Sequence, residues 1–272
     1  MNTHPGSQIG FLDGTADLIN SALGMPAGGY SSKTTAQTLN QGKFENLDIR
    51  LLIDELWKRM AVNWIEAGCQ SRGNFNWRWR LSPKTSAAKD IQSTQPEIIL
   101  QRKIAEFSGE RWANETPTGS GLSGGSRGDP GGLDLAYRND NGDVYLIELK
   151  VGSNTPVHAA FQIVRYGLAL TLARLVDKKV PIITQEEPPS ARNHWRETKQ
   201  AHLRVLAPTD YYKLYPNLRW FEARMHLAIV DFGGSRGLPM TFGFQSFDDA
   251  ANFREEKDVI ARLQDKGRAY PC

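Results

Sequence analysis

Cysteine is scarce in this sequence, which contains only Cys69 and Cys272 among 272 residues. Two cysteines are too few for a disulfide framework, and neither belongs to a CxxC pair of the kind that holds zinc. No apolar run approaches the roughly 18 to 20 residues that cross a bilayer, and the first residues lack the basic and apolar regions of a signal peptide. We therefore expect a soluble protein of the cytoplasm.

An excess of charge of one sign is also missing, because 33 Lys and Arg face 30 Asp and Glu, for a formal net charge of +3. So small an excess does not indicate a nucleic-acid-binding protein, and such a function must rest on local patches. The five histidines lie outside any HExxH, HNH-like or CxxC context, which disfavours a zinc hydrolase or a histidine-metal nuclease. The 40% hydrophobic content nevertheless predicts a globular protein with a core.

The spacing of apolar residues predicts a chain that alternates helices and strands. Helical periodicity predicts helices at 46–67, 96–108, 157–176 and 248–264. Two-residue alternation and short apolar runs predict strands at 74–81, 133–138, 144–151, 203–206, 224–232 and 240–247. Residues 1–43 are rich in Gly, Ser, Thr and Asn, so we interpret them as an arm or a loosely packed cover.

The most informative segment is the predicted hairpin GGLDLAYRNDNGDVYLIELKVG at 131–152. A three-residue loop, Asp140-Asn141-Gly142, places Asp134 opposite Glu148 on one face and brings Lys150 to the same face. Such a loop needs a left-handed residue at its last position, where Gly142 stands. A two-residue loop would instead send Asp134 and Glu148 to opposite faces.

Two carboxylates on one face can hold a divalent cation through oxygen ligands, and the ammonium group of Lys150 can orient a water molecule. The second strand, 144–151, is apolar on both faces, as expected of a buried central strand, where unpaired charges are costly. A surface ion pair between Glu148 and Lys150 is the simpler alternative. The combination of these three side chains is suited to phosphodiester hydrolysis.

Three motifs follow one another in order: Asp134, Glu148-Leu149-Lys150, and Gln162-Ile163-Val164-Arg165-Tyr166 on a helix. This series resembles the PD-(D/E)XK nuclease superfamily, with the QxxxY element of its RecB-like branch. The resemblance spans about residues 97–170, and Leu133 stands where the family name has proline.

The resemblance implies an α/β fold with a restriction-endonuclease-like core, in which helices flank a mixed central β-sheet. Residues 96–272 would form this core together with a C-terminal β-rich elaboration. Residues 1–95 would form an N-terminal helical extension with an arm and a strand that is basic on one face and aromatic on the other.

The resemblance also implies a metal site. Asp134, Glu148 and the main-chain carbonyl of Leu149 would ligate Mg2+, for which Mn2+ can substitute, and Lys150 would position the attacking water. Gln162 and Tyr166 lie four residues apart and so share a helix face, from which they would steady the site or touch the substrate phosphate.

The family adds an acidic residue from the helix that precedes the hairpin. Glu97 is our choice for this residue, and Glu106 is the competitor. Because the two lie nine residues apart on a helix, they face opposite sides and only one of them can point inward.

Four basic residues are predicted to contact nucleic acid: Arg78, Arg80, Arg127 and Arg165. The first two alternate with tryptophans, an arrangement that an ordinary half-buried strand also explains. Arg127 lies in the segment 119–132, whose seven glycines indicate a mobile flap or a plain linker.

These features together predict a Mg2+-dependent deoxyribonuclease, an endonuclease effector of prokaryotic defence against phage or foreign DNA that works with partner proteins. DNA is favoured over RNA because most of the family cuts DNA. One alternative is a nucleic-acid-binding or assembly module that keeps the fold without the activity. Another is an effector that stays inactive until a partner or a small ligand orders the segment 119–132.

Overall fold

A five-stranded mixed β-sheet is the centre of the computed structural model, which describes residues 10–39, 41–66, 77, 79, 95–107, 111–117, 132–177, 194–248 and 253–264. Its strands are β1 (Trp112–Pro117), β2 (Gly132–Arg138), β3 (Val144–Leu149), β4 (Ala201–Pro208) and β5 (Met240–Phe247). They lie side by side in the order of the sequence. The first three run antiparallel to one another, whereas β3, β4 and β5 are parallel.

Helices cover both faces of this sheet. They are α1 (Thr15–Ala22), α2 (Lys33–Ala36), α3 (Gln41–Asn46), α4 (Ile49–Glu66), α5 (Pro96–Ala105), α6 (Pro156–Asp177), α7 (Thr209–Tyr212), α8 (Leu218–Ser235) and α9 (Glu256–Gln264). α4, α6 and α8 belong to the larger hydrophobic core, and α5 and α9 to a smaller core on the other face. Every residue of β3 is therefore buried, as the apolar side chains on both faces of that strand predict.

α6 is the central helix of the larger core, where it packs against β3 and β4. Its segment Pro156–Val176 is long and apolar enough to span a membrane by length and composition, which the sequence analysis did not anticipate. Its side chains are nevertheless mostly buried inside the protein, because neighbouring elements cover the helix on several sides. Its apolar character thus follows from its place in the core.

The N-terminal residues are an integral part of the fold. Phe11, Ile19 and Tyr30 are buried in the larger core, and α1 packs against α4. Lys33 Nζ also donates a hydrogen bond to the Gly152 carbonyl at 2.8 Å, just beyond β3. The prediction of a loosely packed cover was therefore wrong for the described residues up to position 39.

The strand predicted at 224–232 was wrong, because these residues lie within α8. Its buried side chains, Phe221, Met225, Ile229 and Phe232, recur at helical spacing, and a short apolar run satisfies both patterns. The described residues after α6 contain three helices and two strands, so the prediction of a β-rich C-terminal elaboration was wrong for this described part.

Strand β1 was missed because it lacks an apolar alternation: its residues are WANETP, and Asn114 and Thr116 are buried polar groups. The strand predicted at 74–81 lies outside the described residues apart from Trp77 and Trp79. Both of these tryptophans are buried and pack against Trp195.

The junction between α8 and β5 gives a test of the fold. A Cβ atom at Gly233 would clash with the Leu238 carbonyl and lie 2.9 Å from Met240 N, whereas one at Gly234 would meet open space. We expect Gly233→Ala to lower the free energy of unfolding by about 1–3 kcal/mol through overpacking. Gly234→Ala should raise it by up to about 1 kcal/mol, because alanine favours a helix. Urea denaturation followed by circular dichroism measures both, and equal effects would contradict this packing.

Candidate active site

The β2–β3 hairpin has the register that the sequence predicts. Leu135 pairs with Ile147, so that one further step puts Asp134 opposite Glu148. Gly142 has a φ of 87°, the left-handed conformation expected at the last loop position. The prediction of a three-residue loop is confirmed, and it brings both carboxylates to the sheet face that α6 covers.

Glu148 and Lys150 form a buried ion pair. Glu148 is fully buried, Lys150 is 5% exposed, and Lys150 Nζ lies 2.6 Å from Glu148 Oε1. The simpler alternative of a surface ion pair is therefore wrong. Removing two charges from water is costly, so their environment has to compensate for them.

Asp134 is half-buried and is held at both its side chain and its backbone. Its Oδ2 accepts a hydrogen bond from Leu149 N at 2.9 Å, and its carbonyl accepts one from Gln101 Nε2 at 2.7 Å. The β1–β2 ladder skips Asp134 and its opposite residue Glu115, which has a φ of 45°. The buried side chain of Gln101 thus supplies the donor at this gap.

Glu97 reaches the site from the first turn of α5, and Glu106 does not. Glu97 Oε1 accepts hydrogen bonds from Val151 N at 3.0 Å and from Ser153, directly beyond β3. Glu106 lies past the end of α5 and is exposed. The structure therefore places the preferred residue of the two beside the hairpin.

Gln162 and Tyr166 meet on one face of α6, as their spacing predicts. Gln162 Nε2 donates to Tyr166 Oη at 3.4 Å, and Tyr166 Oη donates to the Gly132 carbonyl at 3.1 Å. Burial raises the pKa of Tyr166, and the nearby charge of Glu148 adds to this effect. Through Tyr166, α6 therefore contacts the start of β2 and lies close to the Glu148 carboxylate.

Gln101 and Tyr211 are the residues near the site that the sequence analysis missed. Tyr211 Oη is buried without a hydrogen-bond partner, and burial raises its pKa, with further contributions from Tyr215, Glu148 and Glu97. The only available signal for Gln101 was its position as a polar residue next to Leu100 on the buried face of α5. Tyr211 stood in a run of tyrosines that gave no signal.

The site carries more negative than positive charge. Burial raises the pKa of Asp134 to about 6, and it raises the pKa of Glu148 well above its ordinary value, with Asp134 as the next cause. Burial alone would lower the pKa of Lys150, but the charges of Glu148, Asp134 and Glu97 outweigh it and raise that pKa. Lys150 is therefore protonated at neutral pH, beside carboxylates that favour an additional positive charge.

The fit of a metal ion rests on two carboxylates. Within the described ranges, no group of three or more His, Cys, Asp or Glu side chains is arranged to hold a metal ion. Glu148 Oε2 is, however, buried without a hydrogen-bond partner. The carboxylate of Asp134, the other acidic group of the site, lies next to it. Carboxylate and carbonyl oxygens are the ligands that Mg2+ prefers, so Asp134, Glu148 and the Leu149 carbonyl fit that ion.

The predicted nucleic-acid contacts are tested only at Arg165. Its Nη1 donates a hydrogen bond to Thr15 Oγ1 at 3.3 Å, so α1 holds the half-buried guanidinium group. Arg78, Arg80 and Arg127 lie outside the described residues, as does the glycine-rich segment up to position 131. The neighbouring His158 stacks on Tyr30, and burial lowers its pKa to about 4, so it is neutral at pH 7.

Comparison with known proteins does not identify a family for this chain. No protein-family model, no curated protein and no solved structure matches this chain.

The raised pKa of Asp134 predicts how stability depends on pH. Its pKa is about 6 in the folded protein and near 3.9 in an unfolded chain, so ionisation destabilises the fold progressively between pH 4 and 6. Asp134→Asn keeps an acceptor for Leu149 N and removes this penalty. The variant should gain about 2 kcal/mol over wild type above pH 6, relative to their difference at pH 4.

Chemical denaturation of both proteins from pH 4 to 7.5 measures this difference. Asp210→Asn is the matched control, because the Asp210 side chain is 82% exposed and its substitution should give a nearly flat profile. A flat profile for Asp134→Asn as well would show that Asp134 ionises normally.

Proposed function

We propose that this chain is a Mg2+-dependent nuclease that hydrolyses DNA phosphodiester bonds, with a restriction-endonuclease-like core. The observation that carries this proposal is the convergence of Asp134, Glu148 and Lys150 on one buried face of the central hairpin. A core that only had to fold would be more stable with apolar side chains at these positions. Strongly perturbed carboxylates with one positioned cation are typical of catalytic sites.

Each of these side chains has a distinct task in the proposed reaction. Protonated Lys150 donates hydrogen bonds that orient a water molecule toward the phosphorus atom. The water oxygen forms a bond to phosphorus as the bond to the leaving sugar oxygen breaks. The proton that the water releases passes to solvent, and the leaving oxygen takes a proton from solvent.

Asp134, Glu148 and the Leu149 carbonyl would hold the ion, which when bound neutralises the carboxylates and stabilises the charge that develops on the phosphate oxygens. Gln101 and Glu97 serve as positioning residues. Gln101 fixes the backbone of Asp134, and Glu97 fixes the backbone beyond Lys150.

DNA as the substrate and defence against foreign DNA as the setting follow from the motif resemblance. Arg78, Arg80, Arg127 and Arg165 remain the proposed contacts to the DNA backbone. The proposal leaves room for a partner protein that presents the DNA.

Cleavage of supercoiled and linear DNA by the purified protein tests the proposal. We expect nicking in Mg2+ or Mn2+ and none in EDTA. Lys150→Met and Asp134→Asn should each lower the rate by at least about a hundredfold, because the first removes the group that orients the water and the second removes a ligand of the ion. Cutting of circular DNA would identify an endonuclease.

The control variants are Lys257→Met and Asp210→Asn, which change exposed side chains of the same types and should retain wild-type rates. Circular dichroism establishes that every variant is folded. Equal activity in Lys150→Met and wild type would reveal a contaminating nuclease. If folded wild-type protein cuts no DNA in either metal, the binding or assembly module becomes the better reading.

A further inference from the structure

A second site lies on the other face of the sheet from the buried carboxylates. There, β3, β4 and β5 meet one flank of α8 and the end of α9, and together they enclose an open groove of about 1080 Å3. The side chains of Tyr145 and Arg204 form part of its floor, and they alternate along their strands with residues of the larger core. A groove of this size can hold a small organic ligand.

The guanidinium group of Arg204 has hydrogen-bond donors that the described residues satisfy only in part. Its Nη1 donates to the neighbouring Leu203 carbonyl at 3.0 Å, but its Nε is buried without a partner. The guanidinium carbon lies 5.9 Å from the centre of the Tyr145 ring. Burial lowers the pKa of Arg204 to about 10, so the group remains charged and retains unused donors.

Polar groups converge on Gly243, in the middle of the groove. A Cβ atom at this position would lie 3.4 Å from Glu222 Oε1 and 3.7 Å from both Arg204 Nη1 and Gln245 Nε2. The missing side chain therefore leaves a small cradle between an acceptor and two donors. Phe244 N donates to Glu222 Oε1 at 2.7 Å, which fixes the carboxylate in place.

The walls of the groove are suited to a flat ring. Trp220 lines it, and its Nε1 is buried without a partner. Tyr145 also borders the groove, but its ring is buried and packs against His202 at 4.4 Å. Arg219 lies over the Trp220 ring at 5.3 Å and is exposed, so it places a positive charge at the mouth. His202 is neutral at pH 7, because burial lowers its pKa to about 4.

We propose that this groove binds a nucleotide, with the polar edge of the base in the cradle at Gly243 and the phosphate at Arg219. A base edge carries both acceptors and donors, which match Arg204 on one side and Glu222 on the other. The ring packs against Trp220. This site is independent of the proposed nuclease activity, because it uses none of the residues of the acidic site, which consists of Glu97, Asp134, Glu148 and Lys150.

Isothermal titration calorimetry of the full chain in EDTA tests the proposal with GMP, AMP, guanosine and inorganic phosphate as probes. We expect saturable binding of GMP or AMP and no binding of phosphate alone. Arg204→Gln should weaken binding by about tenfold or more, because it removes a charged donor from a desolvated site. Arg219→Gln should weaken the nucleotide but leave guanosine unchanged.

Three further variants separate the groove from other sites and from misfolding. Gly243→Ala places a methyl group in ordinary contact inside the cradle, and it should weaken binding while the protein stays folded. Arg224→Gln changes an exposed arginine of α8 outside the groove and should have no effect. Asp134→Asn should retain full binding, because the acidic site is on the other face.

The proposal fails if neither nucleotide binds, or if phosphate alone binds as tightly as the nucleotides. It also fails if Asp134→Asn abolishes binding while Arg204→Gln and Gly243→Ala do not, because the nucleotide would then occupy the acidic site. None of these results depends on DNA cleavage, so this test and the nuclease test can fail separately.

Discussion

The burial of the Glu148 and Lys150 charges inside the sheet is the constraint on which the remaining structure depends. An ion pair without water requires good geometry and further polar partners. The chain meets part of that requirement with the Leu149 amide on Asp134 and the aromatic hydroxyl of Tyr166 nearby. The excess negative charge that remains favours an additional positive charge at this place.

Several distant segments are arranged around this pair. α5 contributes Glu97 and Gln101, and α6 contributes Gln162 and Tyr166. The skipped pairing at Glu115 gives Gln101 access to the backbone of β2. Departures from regular structure are thus concentrated where the charges lie, as expected when a site imposes its own geometry on the fold.

The parts of the structure that the sequence predicted are those that local chemistry decides. Gly142 determines the loop of the hairpin, the loop determines the register, and the register brings Asp134 to Glu148. The opposite faces of one helix predicted that only one of Glu97 and Glu106 could point inward. The strand predicted at 224–232 failed because a short apolar run does not distinguish a strand from a buried helix.

The parts that could not be predicted depend on contacts between residues far apart in the chain. Tyr211 lies near Glu148 only because β4 runs parallel to β3 and α7 follows it directly. The cradle at Gly243 likewise requires three separate elements to meet. A single sequence without periodicity at these positions carries no signal for such contacts.

The attachment of the N-terminal residues to the loop beyond β3 has a consequence for dividing the protein. Thr155 Oγ1 donates to the Tyr30 carbonyl at 2.6 Å, and the same hydroxyl accepts a hydrogen bond from His158 N at the start of α6. A fragment that begins near residue 96 would expose the faces of α6 and α8 that α4 covers. It would also release the chain that leads from Lys150 into α6, so the smallest fragment that keeps this arrangement is larger than the span of the sequence motifs.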